Sequence, residues 1–434
     1  MCKKVSVAGL ARTVAPGCGA MLLAALWLAA LSGCASVGQA EREEAVLESA
    51  LVFPAGELHP GMIDTLARHR VILVGETHYV QEHHELLPEL AAALVDYRSA
   101  GGLIVMNENQ HALSWLAEDY VAGRRDSYPP GIGPLDGTIL QGLRAANRKL
   151  PESQQITYRY FDMNHWSDSA QLSLYAMGVE LGIVDRFVDV LVTDPDTSEY
   201  RQAIEQLADY VDDTSDSLRA EIGDLWYGRL QELLEIELRS IPLRQRWNDQ
   251  QREQLIIDLI EGQLADPQLE QLVINTGMYH AQRTRYMGTR QTWLGEHLAE
   301  RERERKLLPD TADGRSTEPA PAGLYALAVF GLRGERILRF YEPDPRPIPS
   351  PSQRRRHNLV RLIDDASRLG TRRSPRPAQP GVVFLDLSDR AFSRETRIAF
   401  TGREMTAVPN RQFDGYLVFP QITVLQSLLE PDQP

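Results

Sequence analysis

The stretch Arg70–Glu85, "RVILVGETHYVQEHHE", decides the fold class. Val71 to Val74 form a short apolar, β-branched run closed by Gly75, which reads as a buried strand. The continuation "QEHHELLPELAAALVDY" has helical spacing, so the unit is strand, turn, helix. Its strand half recurs in "GGLIVMNE", "QITYRYFDMN", "LEQLVINTGMYH", "GLYALAVFGL", "GVVFLDL" and "FDGYLVF", with helical runs such as "LSWLAEDYVAG" interposed. This alternation predicts an α/β fold with a mostly parallel central sheet and flanking helices. Between about Ser169 and Asp266 the character changes to long acidic amphipathic segments such as "SEYRQAIEQLADYVDD". They read as an all-helical insertion or as a separate helical domain.

The 434 residues, 43% hydrophobic and 24% charged, suffice for a large α/β domain and exclude a disordered chain or a multi-span membrane protein. Lys3, Lys4 and Arg12 precede the apolar run "AMLLAALWLAAL", too short to span a bilayer comfortably, and the run ends in "LSGC". That pattern is a secretory signal, and its end resembles a bacterial lipobox. The resemblance implies cleavage before Cys34, a lipid on the Cys34 sulfur with palmitate among its acyl chains, and, with Ala35 and Ser36 following, an outer-membrane site facing the periplasm.

Setting Lys3, Lys4 and Arg12 aside leaves 43 basic against 60 acidic residues, a net charge of −17, which argues against nucleic acid as a partner. Cys2 and Cys18 leave with the signal, so structural disulfides and cysteine nucleophiles are both excluded. The expected organisation is a signal peptide over 1–33, a lipid anchor and tether over 34–60, and the first half of the α/β domain over 61–168. The helical insertion follows over 169–268 and the second half over 269–427. Within that half a Pro/Arg-rich stretch over 343–380 reads as an exposed loop around a short helix.

Four apolar runs end in acid or imidazole groups: Glu76 with His78, Glu108 with His111, Asp162 with His165, and His280. Ligand crevices in open parallel sheets lie outside the carboxyl ends of the strands, so these groups are expected to converge. Glu76 and His78 are two apart and project to one side if the strand stays extended. Gly75 and Gly277 are expected to let the backbone turn sharply. A histidine at the following helix N-terminus is expected to stay neutral, as a base or a metal ligand. The cluster Glu82, His83, His84, Glu85 reads as a wet helical face, since no HExxH spacing exists. Gly131, Gly133 and Gly137 do not make a phosphate loop, and no GxSxG supports a hydrolase serine.

"VILVGETHYVQEHH", the glutamate of "VMNENQ" and "TGMYHAQR" together resemble the superfamily that joins erythromycin esterases, ChaN-like haem-binding lipoproteins and Tiki/TraB proteins. "LRAANRKLPESQQITYRYFDMN", "RQRWNDQQREQL" and "MGTRQTWLGEHL" look most like the esterase branch, whereas "EHH" and the lipoprotein anchor look more like ChaN. The resemblance runs from about Gly61 to Leu425. It implies that His78 is the general base activating water and Glu76 its partner, with Glu108 and His280 on the opposite wall and Arg246 and Asp249 in the helix ahead of the second half. The esterases carry a small Gly-Thr after the first histidine and an arginine in the next helix; here Tyr79-Val80 and the Leu86–Pro88 region replace them. Three functions follow as expectations. The first is an envelope lipoprotein hydrolysing an ester or related bond in a small-molecule or polymer substrate. The second is a haem- or metal-binding lipoprotein without turnover, its iron held by histidine or by Tyr79 and Tyr279. The third is a non-catalytic envelope scaffold. No obligatory cofactor is expected for the first, while a divalent metal held by His78, His280, Glu76 and Glu108, or haem, serves the second.

Overall fold

The computed structural model describes residues 40–98, 102–128, 132–285, 290–304, 322–337, 344–348, 358–369, 379–398 and 405–429. Residues 1–39, on which the expected signal peptide and Cys34 fall, and half of the Pro/Arg-rich stretch lie outside them. Among the described residues no helix is long and apolar enough to cross a membrane.

Eight strands make the central sheet: β1 (Ala50–Phe53), β2 (His69–Glu76), β3 (Leu103–Gln110), β4 (Thr157–Asp162), β5 (Gln271–Gly277), β6 (Ala322–Gly331), β7 (Val382–Asp386) and β8 (Gly415–Phe419). Their order in space is β1-β7-β8-β6-β2-β5-β3-β4. From β8 to β4 every neighbouring pair is parallel, and β7 runs antiparallel to β1 and β8. The fold is α/β, as the alternation predicts. β5 enters between β2 and β3, so the two strands nearest in sequence are not neighbours in the sheet.

Side chains alternate between two apolar layers, which is why these strands read as continuous hydrophobic runs. Ile72, Val74, Val105, Val273 and Leu327 face one layer, and Val71, Leu73, Met106, Ile274 and Ala326 the other. The helical stretch after β4 holds α1 (Ser169–Leu181), α2 (Ser198–Asp213), α3 (Asp224–Gln245) and α4 (Asp249–Leu264) among its helices. Met177, Tyr200 and Leu230 of the first three join the Ile72 layer, while Ile256 and Ile260 of α4 join the other. The insertion therefore shares both layers of the sheet's core.

The segment over 34–60, read as a tether, is folded from residue 40 onward. Residues 40–49 are helical and Ala50–Phe53 form the edge strand β1, because Ala45, Val46, Ala50 and Val52 bury against the β7 end of the sheet. Arg42 donates to Thr396 Oγ1 at 2.5 Å and fixes that helix to the second half. In the Pro/Arg-rich stretch the described parts are Arg346–Pro347, paired with Glu335–Arg336, and a helix Leu359–Leu369 that buries Leu359, Val360, Ile363 and Ala366.

Candidate active site

The carboxyl ends of β2, β5, β3 and β4 stand side by side, with Glu76 opposite Gly277 in register. His78 Nδ1 lies 3.1 Å from Glu76 Oε1. Asn275 of β5 donates to Glu76 Oε2 at 3.0 Å and to Asn107 Oδ1 at 2.8 Å, an amide strut across three strands. The β3–β4 register shifts between Asn107 and Gln110, and Glu108 in that shift lies against β5. Its Oε2 accepts from Thr276 Oγ1 at 2.6 Å and from the Gly277 amide at 2.7 Å. Its Oε1 accepts from Arg252 Nη2 at 2.6 Å and lies 3.6 Å from His280 Nε2.

Gly75 and Gly277 do not supply the turn, since neither has positive φ. They permit close approach: a Cβ on Gly277 would meet His78 Nε2 at 2.6 Å, and one on Gly75 would meet the Ala281 Cβ at 2.7 Å. The left-handed residue is Tyr79, at φ 63°, a conformation that side chains other than glycine adopt at a cost and that clusters at functional sites.

Of Arg246 and Asp249, which the resemblance places in the helix ahead of the second half, Asp249 begins α4 while Arg246 lies just before it, and neither lines the cleft. Arg246 caps α3, and Asp249 accepts from Trp247 Nε1. One turn further along α4, Arg252 and Glu253 take that place. Arg252 grips Asp162 through Nε at 2.9 Å and Nη2 at 2.5 Å while holding Glu108. Glu253 Oε2 lies 2.6 Å from His280 Nδ1, and its Oε1 accepts the Leu294 amide at 2.5 Å. A signal for this pair existed in the sequence: Arg252 and Glu253 lie one helical turn before Ile256 and Ile257, in the stripe α4 turns to the core.

Asp162 also holds His165, at 2.6 Å, in the same cleft. His111 does not join it. Its Nε2 faces Glu232 at 3.3 Å in a separate cavity between the sheet and α3. The wet face expected at Glu82 to Glu85 is only half so, for His83 and His84 are buried. His83 Nδ1 contacts the Thr77 carbonyl oxygen at 3.0 Å, and burial pulls the ring down to about 4, whereas His84 lines the cleft.

The expectation of neutral site histidines is overturned by these carboxylates. Desolvation alone would disfavour the imidazolium of His78, but the Glu76 hydrogen bond and the charges of Glu108 and Glu76 outweigh it and raise the group to about 9. His280 is raised in the same way by Glu108 and Glu253 against its burial. Burial opposes ionisation of Glu108, yet His280, Arg252 and His78 hold it well below the usual carboxylate range.

Among the described residues no three His, Cys, Asp or Glu side chains are disposed to hold a metal ion. The Arg252 guanidinium fills the space between Glu108 and Asp162 where a cation would bridge them. Burial, Glu108 and Glu76 push the Tyr79 hydroxyl up to about 12, which disfavours the tyrosinate an iron ligand requires.

An erythromycin esterase mutant in its open conformation superposes on 86% of this chain and 98% of its own, with a TM-score of 0.59 at 12% identity. The fold is that of an erythromycin esterase. A succinoglycan biosynthesis protein (TM-score 0.61, 11% identity) and a protein from Bacillus cereus (0.63, 10%) each cover 89% of the chain and 98% of their own length. A haem-bound ChaN of Campylobacter jejuni aligns at a TM-score of 0.26, too low to carry an argument. No family model and no curated sequence matches the chain.

Proposed function

We propose that the chain is a hydrolase that cleaves an ester by His-assisted attack of water. The observation that carries this reading is the Glu76–His78 pair set beside Glu108 and Arg252 in one cleft, with His280 buried 3.6 Å from Glu108, on the fold shared with an erythromycin esterase. His78 Nδ1–H donates to Glu76, which fixes the tautomer with Nε2 as the acceptor. Nε2 takes a proton from water as the water oxygen bonds to the acyl carbon, and returns it to the alkoxide as the acyl–oxygen bond breaks. Arg252, held cationic by Asp162 and Glu108, supplies fixed positive charge for the oxyanion, and His280 acts only through Glu108, which it faces at 3.6 Å.

His78→Gln retains a donor for Glu76 while removing the base. It is expected to lower kcat/KM on p-nitrophenyl acetate by at least about a hundredfold with little change in melting temperature. A large stability loss with activity unchanged would sink the assignment. In the same reading the reaction needs no resident metal, so dialysis against EDTA leaves the rate intact; one tightly bound equivalent whose removal abolishes turnover overturns it. Lipidation of Cys34 and a periplasm-facing outer-membrane site complete the proposal, and Cys34→Ala is expected to move the protein from the membrane fraction to the soluble one.

A further inference from the structure

The cleft has an unusual wall for a ligand of any size. Of the fourteen residues lining its roughly 250 Å3 among those described, Leu135 alone is aliphatic. Its apolar surface comes mainly from aromatic and side-chain carbons of polar residues, so any ligand meets polar groups at every turn of the wall.

Besides Glu76, His78, Glu108 and Arg252, the wall carries polar groups that the proposed hydrolysis does not use. Asp136 is buried, and among the described residues it makes no ion pair; Asn109 Nδ2 donates to its Oδ2 at 2.7 Å. Beside it, among the described residues, Gln110 Nε2 and His84 Nδ1 have no hydrogen-bond partner, although these residues are only 2% and 5% exposed. A buried nitrogen left unpaired costs about 1–3 kcal/mol, so a small side-chain shift that lets a ligand oxygen reach either one is favoured. The wall thus mixes donors with a carboxylate acceptor and adds no net positive charge. A ligand bearing several hydroxyls, each donor and acceptor at once, matches it.

An exposed aromatic ring adjoins two residues of the cleft. Trp247 is 53% exposed, and its ring is stacked on His165 at 5.7 Å and 25° and contacted by the Arg252 guanidinium, both cleft residues. Trp166 joins the wall. An exposed indole beside a polar wall is a surface on which the C–H face of a pyranose ring packs while its rim hydroxyls are held.

We infer that the alcohol half of the substrate is a sugar ring, so that the bond cleaved is an ester on a pyranose hydroxyl. Water supplies the hydroxyl of the released carboxylic acid and a proton returns to the sugar oxygen. This rests on the hydrolase reading for the reaction, but ring binding can be tested without it.

The test uses the whole chain and a panel of methyl gluco-, galacto- and mannopyranosides, each free and mono-O-acetylated. Saturation-transfer NMR on His78→Gln is expected to mark the ring protons of at least one acetylated member. Trp247→Ala, a change at an exposed position, is expected to weaken that binding about tenfold. Wild type is expected to favour the same ester over p-nitrophenyl acetate in kcat/KM, with the ratio falling in Asp136→Asn. Absence of ring-proton transfer for every member, or transfer to the acetyl methyl alone, overturns the sugar assignment. Ring binding without hydrolysis would leave that assignment standing and remove the hydrolase. Hydrolysis of p-nitrophenyl acetate through His78 with no pyranoside binding would do the reverse.

Discussion

At the scale of single residues, the protonation of His78 governs behaviour. With the free group near 9, only about one molecule in a hundred carries the neutral base at pH 7, so kcat/KM is expected to climb with pH toward that value. Glu76→Gln removes the main partner, and the rising limb of the pH–rate profile should move to lower pH. A profile that stays put would show that Glu76 does not set the titration. Stability follows the same group with opposite sense. A folded-state value raised above about 6.5 stabilises the protein below that pH, and this contribution disappears as pH rises through about 9. The melting temperature of wild type should therefore fall more between pH 7 and 9.5 than that of His78→Gln. That Glu76, His78 and Glu108 would share one cleft was legible because strand ends announce themselves by an apolar run breaking into polar residues; His280, expected in the same cleft, is buried beside Glu108 instead of lining it. The charge states were not legible: pairing with Glu76 and Glu108 outweighs the burial of His78, and Glu253, which with Glu108 raises His280, sits on α4, an element that the strand-end pattern does not mark.

Among the elements, α4 carries the most. Its Asn248 cap accepts the Gln251 amide, which fixes the start of the helix one turn from Arg252 and Glu253. Arg252→Met would strand Glu108 and Asp162 as buried charges, and urea denaturation is expected to register a loss of about 3–5 kcal/mol. Adding Asp162→Asn should restore part of it. A single-mutant change under 1 kcal/mol would mean that water or protonation already relieves the pair. Gly277→Ala is a quieter probe: its methyl would displace His78 from Gly277, lowering activity far more than melting temperature. The helical character of the insertion was plain from its periodicity. Its docking was not, since a stripe of isoleucines marks a buried face without saying which surface covers it.

For the whole molecule, alternation of strands and helices gave away the class but not the strand order. Nothing local in "QLVINTG" says that it will part β2 from β3, because both flanking strands present similar apolar edges. As the insertion contributes to both layers of the core, calorimetry is expected to show the sheet and insertion unfolding in one transition, and two resolved transitions would mean that they are separable. The wedge position of β5 also sets a timetable. When Gln110 has been joined to the growing chain, about 160 residues remain before β5 exists, which at ~5–20 residues per second is roughly ten to thirty seconds of synthesis. Throughout that interval the facing edges of β2 and β3 have no rightful occupant, and pairing them with each other builds a sheet that must be opened again. A fragment of residues 40–168 should accordingly be sticky and unstructured on its own, and the nascent protein is a natural client for a holding chaperone until its fifth strand arrives.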